Sequence, residues 1–417
     1  MDIKLASKYK NKKEFQIAEE IIRRCVHCGF CNSTCPTYQI LGDERDSPRG
    51  RISIIKDILE GSEPTIQSQI HLDRCLLCRN CETTCPSGVE YGTLYKIGNK
   101  VVEKNIKTKS NQKFFRFILR EFLLSKFFYI GMYVSKKIRF ILPKKIKKFI
   151  PKSKLSFFQI NNNFHRSKNK SEKKIILFLG CVQKSMLPSI NEATQKILKV
   201  CDYSYSAIDN NDCCGAIRSH LSDNEGQIKN VKRNIDLWWP EISDGNIKYI
   251  ISNASACSLE IKNYGKVLSD DPKYSEKAKK VSKLAIDLSE ILPEIVNVLA
   301  SKINFNKKNQ KLVFHPPCTL QHGHKINGLV ERNLEKLGYK ILKTNEESNL
   351  CCGSAGTYSL FHPEISIALK KRKIDHIKKL DCDLVISANV GCISHLQSES
   401  PKSVKHWVEV LADDLKD

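Results

Sequence analysis

A run of four cysteines and a proline occurs twice in the first part of the sequence with the same spacing. The first run consists of Cys25, Cys28, Cys31, Cys35 and Pro36. The second run consists of Cys75, Cys78, Cys81, Cys85 and Pro86. Two residues separate the first three cysteines of each run, so one winding loop directs three thiolates at three corners of a single iron-sulfur cubane. The fourth cysteine then points away from that cubane.

The fourth cysteine of each run is expected to serve the cluster of the other run. That exchange is the rule in two-cluster ferredoxins with this spacing. One [4Fe-4S] cluster is therefore predicted on Cys25, Cys28, Cys31 and Cys85. The other is predicted on Cys75, Cys78, Cys81 and Cys35. Zinc is the alternative, because paired C-x2-C knuckles bind it, but zinc does not explain three evenly spaced cysteines followed by a fourth with proline, twice.

The residues between the two runs contain signals for the start and the end of a helix. Ser47 is a suitable N-cap, Pro48 fits the first turn, and Gly61 follows an apolar stretch as a stop signal. We therefore predict a mostly α-helical ferredoxin module.

Eight more cysteines form a second pattern, which is a duplication. Its first copy is Cys181, Cys213, Cys214 and Cys257. Its second copy is Cys318, Cys351, Cys352 and Cys392. Glycine follows the adjacent cysteines in both copies, and the near-constant register marks an internal repeat. Vicinal thiols gain little from burial, which favours a metal or redox site over a structural vestige.

The flanks of these cysteines repeat as well. Apolar runs at 175–179 and 312–314 precede the first cysteine of each copy, and IISNASAC at 250–257 parallels VISANVGC at 385–392. Short β-branched runs that end in loops predict buried strands, with helices between them. We predict a duplicated α/β domain with its cysteines at strand ends. Cys201 and Cys382 fit neither pattern and are predicted to be core residues.

Composition limits the remaining possibilities. The chain has 417 residues, a formal charge of +24 and 41% hydrophobic residues, as expected of a folded, multidomain protein. Neither a secretory signal nor an apolar stretch long enough to span a bilayer is evident, so we expect a cytoplasmic protein. GxGxxG and GxxxxGK[ST] motifs are both absent from the sequence. Four segments are expected: a helical ferredoxin domain at 1–105, a basic amphipathic helical segment and linker at 106–172, and Cys-Cys-Gly modules at 173–300 and 301–417.

Most of the basic excess lies between residues 101 and 174. Within it, Lys113, Arg116 and Arg120 share one stripe of a predicted helix at 113–134, with Phe, Leu and Ile over the remaining arc. Such a helix can lie on an anionic membrane surface, or it can pack on the ferredoxin module or a partner subunit with its charges solvated. Nucleic acid is a weaker alternative and is not expected, because no nucleic-acid-binding motif accompanies the charge. The polar stretch 161–174 is interpreted as a linker.

The order of these modules resembles the iron-sulfur subunit of bacterial glycolate oxidase, a family that also has SPRGRI, found here at 47–52. The resemblance implies a subunit without its own flavin that works beside FAD-containing flavoprotein subunits. Those partners oxidise glycolate to glyoxylate, and electrons pass through the clusters toward the respiratory chain. The missing secretory signal and the basic segment predict a cytoplasmic location, or a peripheral one on the inner face of the cytoplasmic membrane. Similar architectures occur in the iron-sulfur subunits of anaerobic glycerol-3-phosphate dehydrogenase, in lactate-utilisation proteins and in heterodisulfide reductases.

The Cys-Cys-Gly modules depart from the heterodisulfide reductase pattern. There each module ends in C-x-x-C, whereas here Ala254 and Asn389 stand three residues before the last cysteine. Four cysteines per module remain candidates for further iron-sulfur clusters, and thiol or disulfide chemistry on this chain is the alternative. His315, His322 and His324 lie near Cys318, but no catalytic residue is predicted among them.

Overall fold

The chain is described by a computed structural model and divides into two compact units. The described residues are 1–106, 110–143, 147, 150–151, 163–165, 174–207, 213–303, 310–344 and 346–416. The first unit contains Met1–Phe115, Gln321–Lys325 and Asn349–Lys373. The second contains Arg116–Leu320, Ile326–Ser348 and Ile374–Asp417. Two short segments from the C-terminal part of the chain therefore belong to the unit that holds the ferredoxin cysteines.

Helices dominate the N-terminal part of the first unit. They are α1 (Ser7–Lys10), α2 (Lys13–Arg24), α3 (Phe30–Ser33), α4 (Pro36–Leu41), a 3-10 turn (Glu44–Asp46), α5 (Pro48–Glu60), α6 (Ile66–Asp73), α7 (Asn80–Thr84) and α8 (Tyr91–Asn105). The core between them includes Ile22, Ile55, Leu59 and Leu94, each of which is fully buried. Burial of these side chains provides the main stabilisation of the unit.

Helix α5 begins and ends where the sequence predicts. The Ser47 hydroxyl accepts a hydrogen bond from the Gly50 amide at 3.0 Å, and Pro48 occupies the first turn. Gly61 ends the helix with φ of +123°, a backbone conformation that residues with a Cβ rarely adopt. This helix leads from the first cysteine run toward the second and carries Arg51 into the interior.

The basic segment forms two helices rather than the one predicted at 113–134. They are α9 (Ser110–Leu124) and α10 (Lys126–Lys137). The break lies at Ser125, whose hydroxyl accepts a hydrogen bond from the Phe128 amide at 3.3 Å and so caps the second helix. Among the described residues, no helix has both the length and the apolar character needed to cross a bilayer.

The first sheet of the second unit has five strands in the order β1-β3-β2-β4-β5. They are β1 (Asn163–His165), β2 (Lys174–Phe178), β3 (Ser204–Ala207), β4 (Ile247–Ser252) and β5 (Ala285–Asp287). All neighbouring pairs are parallel except β1 with β3. In register, Ile176 lies opposite Ser206 on β3 and Ile250 on β4. Strand β1 falls within the predicted linker, and the rest of 161–173 lies outside the described residues.

The second sheet has four parallel strands in the order β7-β6-β8-β9. They are β6 (Lys311–Phe314), β7 (Lys340–Leu342), β8 (Leu384–Ser387) and β9 (Ser403–His406). The order matches β3-β2-β4-β5 of the first sheet. Cysteines of the two copies follow equivalent strands in both sheets, which confirms the duplicated α/β domain after a helical ferredoxin domain.

Helices connect and flank the strands. In the first copy they are α11 (Cys181–Met186), α12 (Pro188–Val200), α13 (Ala216–His220), α14 (Asn224–Ser243), α15 (Ser255–Lys262), α16 (Tyr264–Val267), α17 (Ser275–Leu284), a 3-10 turn (Leu288–Ile291) and α18 (Leu292–Leu299). In the second copy they are a π-helical turn (Thr319–Gly323), α19 (Leu329–Lys336), α20 (Tyr358–Phe361), α21 (Pro363–Lys378), α22 (Val390–Gln397) and α23 (Trp407–Asp413).

Candidate metal centre

The first three cysteines of the first run lie with the last cysteine of the second run. Cys25, Cys28, Cys31 and Cys85 line one cavity, to which Cys81 also contributes. Among the neighbouring thiols, Cys25 raises the pKa of Cys31 most, and Cys85 comes next. Cys28 is exposed, whereas Cys25 is buried. One edge of this set of four, here called the first set, therefore reaches the protein surface.

The other four cysteines, here called the second set, are the first three of the second run and the last of the first run. Cys81 has Cys78, Cys75 and Cys35 as its thiol neighbours. Cys35, Cys78 and Cys81 are buried and Cys75 is partly buried. The Leu77 amide donates a hydrogen bond to Cys75 Sγ at 3.4 Å, and the Tyr91 hydroxyl donates to the same sulfur at 3.5 Å. The fourth cysteine of each run is thus placed with the first three of the other run.

The two cysteine loops share an unusual backbone conformation. His27 and Leu77, each directly before the second cysteine of its run, have φ of +59° and +52°. Gly29 and Arg79, each directly after that cysteine, have φ of +84° and +61°. Left-handed conformations cost energy in residues other than glycine, so their recurrence at equivalent positions indicates a constraint of function. Winding of this kind directs three successive thiols to one side of the loop.

The chemistry of the thiols fits a metal cluster. None of the chain's cysteines, all of which are described, forms a disulfide. Burial, reinforced by the neighbouring Cys25, raises the pKa of Cys31 to about 11. Burial also raises the pKa of Cys75 and of Cys81. Closely packed, buried thiols of this kind lose their protons when a metal supplies positive charge, so cluster binding would release protons.

The first Cys-Cys-Gly module also brings its four cysteines together. Cys213 contacts Cys181 and Cys214 through their thiols, and Cys214 contacts Cys257. Hydrogen bonds from the thiols of Cys181 and Cys214 lower the pKa of Cys213 well below its ordinary value. The Gly215 amide adds a further hydrogen bond to Cys213 Sγ at 3.3 Å. Four thiols in mutual contact, one of them with a lowered pKa, are a suitable starting point for binding iron or zinc.

Buried polar contacts fix the Cys-Cys backbone of this module. The Asn234 side chain donates to the Cys213 carbonyl at 3.0 Å, and the Tyr264 hydroxyl donates to the Cys214 carbonyl at 2.9 Å. Both donors lie on helices that pack behind the loop. These two contacts position the backbone of the Cys-Cys pair.

The cysteines of the second module are distributed over both compact units. Cys351 and Cys352 belong to the first unit, whereas Cys318 and Cys392 belong to the second. The Gly353 amide donates to Cys351 Sγ at 3.4 Å, as Gly215 does in the other copy. The side-chain amide of Asn389, three residues before the last cysteine, donates to Cys392 Sγ at 3.8 Å.

His322, one of the remaining predicted residues, makes structural contacts. His322 bridges the Thr83 hydroxyl at 2.9 Å and the Asn349 carbonyl at 2.8 Å, and burial lowers its pKa. It therefore acts as a neutral structural donor and acceptor. His315 is buried and His324 is partly buried. Cys382 is buried as expected of a core residue, but Cys201 is only partly buried.

Sequence analysis missed a charged network beside the second set. Its members are Thr37, Asp46, Arg51, His71 and Arg74. Arg51 and Asp46 are 1% and 0% exposed. The available signal was the SPRGRI segment, which contains Arg51, but a sequence motif alone does not show that its arginine is buried.

The chain matches two protein families over most of the regions described above. Residues 21–89 match a 4Fe-4S dicluster domain. Residues 175–262 and 312–397 each match a cysteine-rich domain. The fold and these matches define the class: an iron-sulfur protein with a dicluster domain followed by a duplicated cysteine-rich domain.

Full-length relatives narrow this class to one family. The chain is 39% identical to the glycolate oxidase iron-sulfur subunit of Escherichia coli, over all of both chains. It is 27% identical to the probable glycolate oxidase iron-sulfur subunit of Bacillus subtilis, over 93% of this chain and 91% of the relative. Lactate utilization protein A of Halalkalibacterium halodurans matches 57% of this chain at 25% identity. The chain belongs to the family of glycolate oxidase iron-sulfur subunits, which are components of an oxidoreductase.

Proposed function

We propose that this chain is the electron-transfer subunit of a flavin-dependent glycolate oxidase. Flavoprotein partner subunits oxidise glycolate to glyoxylate, and this subunit carries the electrons on toward the respiratory chain. The observation that carries the proposal is the arrangement of eight cysteines in two sets of four, in a chain 39% identical to a glycolate oxidase iron-sulfur subunit over its full length. FAD is expected only on the partners.

Each set is proposed to hold one [4Fe-4S] cluster, which would supply one-electron transfer. The chain's own residues hold the sulfurs in place, bury most of them and direct amide and hydroxyl donors at them. The exposed Cys28 marks the first set as the place where electrons are exchanged at the protein surface. The four segments 1–105, 106–172, 173–300 and 301–417 remain our proposed domain division.

The substrate of the complex can be tested with the subunit purified together with its flavoprotein partners under anaerobic conditions. We expect glycolate to bleach the broad visible absorbance of the clusters within one turnover, because electrons from the flavin pass directly to this subunit. Glycerol 3-phosphate and lactate are the matched controls, since they are the expected substrates of complexes whose subunits share this architecture. If glycerol 3-phosphate or lactate bleaches the absorbance and glycolate does not, the chain is instead a subunit of one of those complexes.

The Cys-Cys-Gly modules are proposed as sites for further iron-sulfur clusters. Convergence of Cys181, Cys213, Cys214 and Cys257 supports this role for the first module. Iron analysis of the same preparation distinguishes the cases, because two cubanes account for about eight irons. A larger iron content supports clusters in the modules. An iron content of about eight together with activity on a disulfide substrate supports thiol chemistry there instead.

We propose that the basic segment contacts an anionic membrane surface at the inner face of the cytoplasmic membrane. Phe114, Phe127 and Phe140 are 64%, 76% and 78% exposed, which is unusual for aromatic side chains unless they have a binding partner. Lysines and arginines on α9 and α10 would contact lipid phosphates.

Membrane binding predicts a specific loss on mutation. Replacing Phe114, Phe127 and Phe140 with serine should reduce sedimentation with vesicles containing anionic lipid at least tenfold, because three large apolar side chains no longer enter the interface. A matched variant carries serine at Ile66, which is 66% exposed but lies outside the segment, and should sediment normally. Equal binding by both variants would show that the segment contacts a protein partner or solvent instead.

A further inference from the structure

A buried positive charge lies next to the second set of cysteines. The Arg51 side chain is 1% exposed, and Cys75 and Cys35 are among the groups that act most strongly on it. Tyr91, which donates to Cys75 Sγ, is also close to the guanidinium. Arg51 is therefore positioned to act on the ligands of one cluster through a medium that water does not screen.

Hydrogen bonds hold the guanidinium in one orientation. Its Nε donates to the His71 carbonyl at 2.7 Å, and Nη1 donates to the Thr37 hydroxyl at 3.1 Å. The Thr37 hydroxyl in turn lies 3.2 Å from Cys35 Sγ and donates to the Asp46 carbonyl at 2.8 Å. The charge and the cysteine are thus joined through one side chain.

The counterion of Arg51 is shared with another cation. Arg51 Nη2 lies 3.5 Å from Asp46 Oδ1, whereas Arg74 Nη1 lies 2.8 Å from Asp46 Oδ2. His71 Nδ1 lies 3.1 Å from Asp46 Oδ1. One carboxylate therefore faces two guanidinium groups, so the group keeps a net positive charge.

The first set has a different electrostatic environment. Arg49 lies close enough to Cys31 to interact with its charge, and it also lies against Gly29. The Arg49 side chain is 31% exposed and pairs with Glu44 at 2.6 Å. Solvent and that carboxylate screen its charge, so it acts more weakly on the first set than Arg51 acts on the second.

Reduction adds one negative charge to a cluster and its thiolates, and a fixed buried cation stabilises that added charge. We propose that Arg51 raises the reduction potential of the cluster on Cys35, Cys75, Cys78 and Cys81 above that of the cluster on the first set. This rests on the proposed function, in which the electron comes from the flavoprotein partner. Electrons that enter at the surface-exposed first set would then collect in the second. No bond is formed or broken in this step, and no proton is needed.

Redox titrations of the full-length subunit monitored by EPR test this ordering. Chemical reductants and mediators replace the substrate, so the readout does not depend on glycolate. In Arg51→Gln, we expect one of the two midpoint potentials to fall by at least the equivalent of a tenfold change in the reduction equilibrium, about 59 mV for one electron. The other midpoint should move much less. Arg51→Lys keeps the charge and should restore most of the shift.

Two further variants keep the inference falsifiable if Arg51→Gln folds poorly. Asp46→Asn removes the compensating carboxylate, so the same midpoint should rise rather than fall. Arg49→Gln is the matched control, and its smaller effect on the other midpoint should vanish at high salt. If the clusters are present and both midpoint potentials are unchanged in the Arg51 and Asp46 variants, this inference is wrong but the proposed function stands. If the protein is colourless and contains no iron, the proposed function itself is wrong.

Discussion

Cys85→Ser is expected to remove the cluster of the first cysteine run, although Cys85 belongs to the second run. The reason is geometric, since Cys85 lies with Cys25, Cys28 and Cys31 in one cavity. Iron content should fall by about four atoms, and the magnetic coupling between the two reduced clusters should disappear from the EPR spectrum. Transfer of electrons from the flavoprotein should fall by about two orders of magnitude or more, because the surface-exposed set is lost.

The identity of the surviving cluster decides whether the exchange of ligands is correct. If the second set survives, its midpoint in Cys85→Ser should still fall when Arg51→Gln is added. Cys201→Ser is the matched control, because Cys201 is a partly buried cysteine outside both patterns, and it should keep both clusters. A cluster that survives when Cys75→Ser is added to Cys85→Ser would mean that each run uses its own fourth cysteine.

Gly353→Ala is expected to destabilise the protein by about 2–5 kcal/mol. Gly353 has φ of +87°, and a Cβ there would lie 2.5 Å from the Ser366 carbonyl oxygen. The left-handed conformation costs alanine about 1–2 kcal/mol, and displacing the backbone of α21 adds about 1–3 kcal/mol. Urea unfolding monitored by circular dichroism would measure the change in the free energy of unfolding.

Gly42 provides the matched control for this substitution. Its φ of +66° is also left-handed, but a Cβ there would meet nothing within 4 Å. Gly42→Ala should therefore cost only the conformational part, about 1–2 kcal/mol. Equal losses in the two variants would show that the contact with Ser366 relaxes freely and that glycine in Cys-Cys-Gly serves the backbone conformation alone.

The helical ferredoxin domain and the duplicated α/β domain could be predicted because both depend on local patterns. The two C-x2-C-x2-C-x3-C-P runs constrain their loops, and the strand before each Cys-Cys-Gly module is a short β-branched run. Capping signals at Ser47 and Gly61 placed α5 to within one residue. The break at Ser125 was missed because the apolar residues continue on both sides of a single serine.

Features that depend on long-range contacts could not be predicted in the same way. Arg51 looks like a surface residue in sequence, because charged side chains are rarely buried, and only the approach of Asp46 and Thr37 explains its position. The membership of Cys351 and Cys352 in the first unit has no local signal either. Sequence periodicity carries information over one helix or strand, whereas these contacts join residues that are distant in the chain.

The first unit is completed by residues that the ribosome produces late. The Tyr358 hydroxyl donates to the Arg74 carbonyl at 2.9 Å across 284 positions, and His322 reaches Thr83 across 239 positions. Synthesis at about 5–20 residues per second leaves the cysteine loops without these neighbours for roughly 15–60 seconds. The ferredoxin helices are therefore synthesised well before the segments of the chain that complete their contacts.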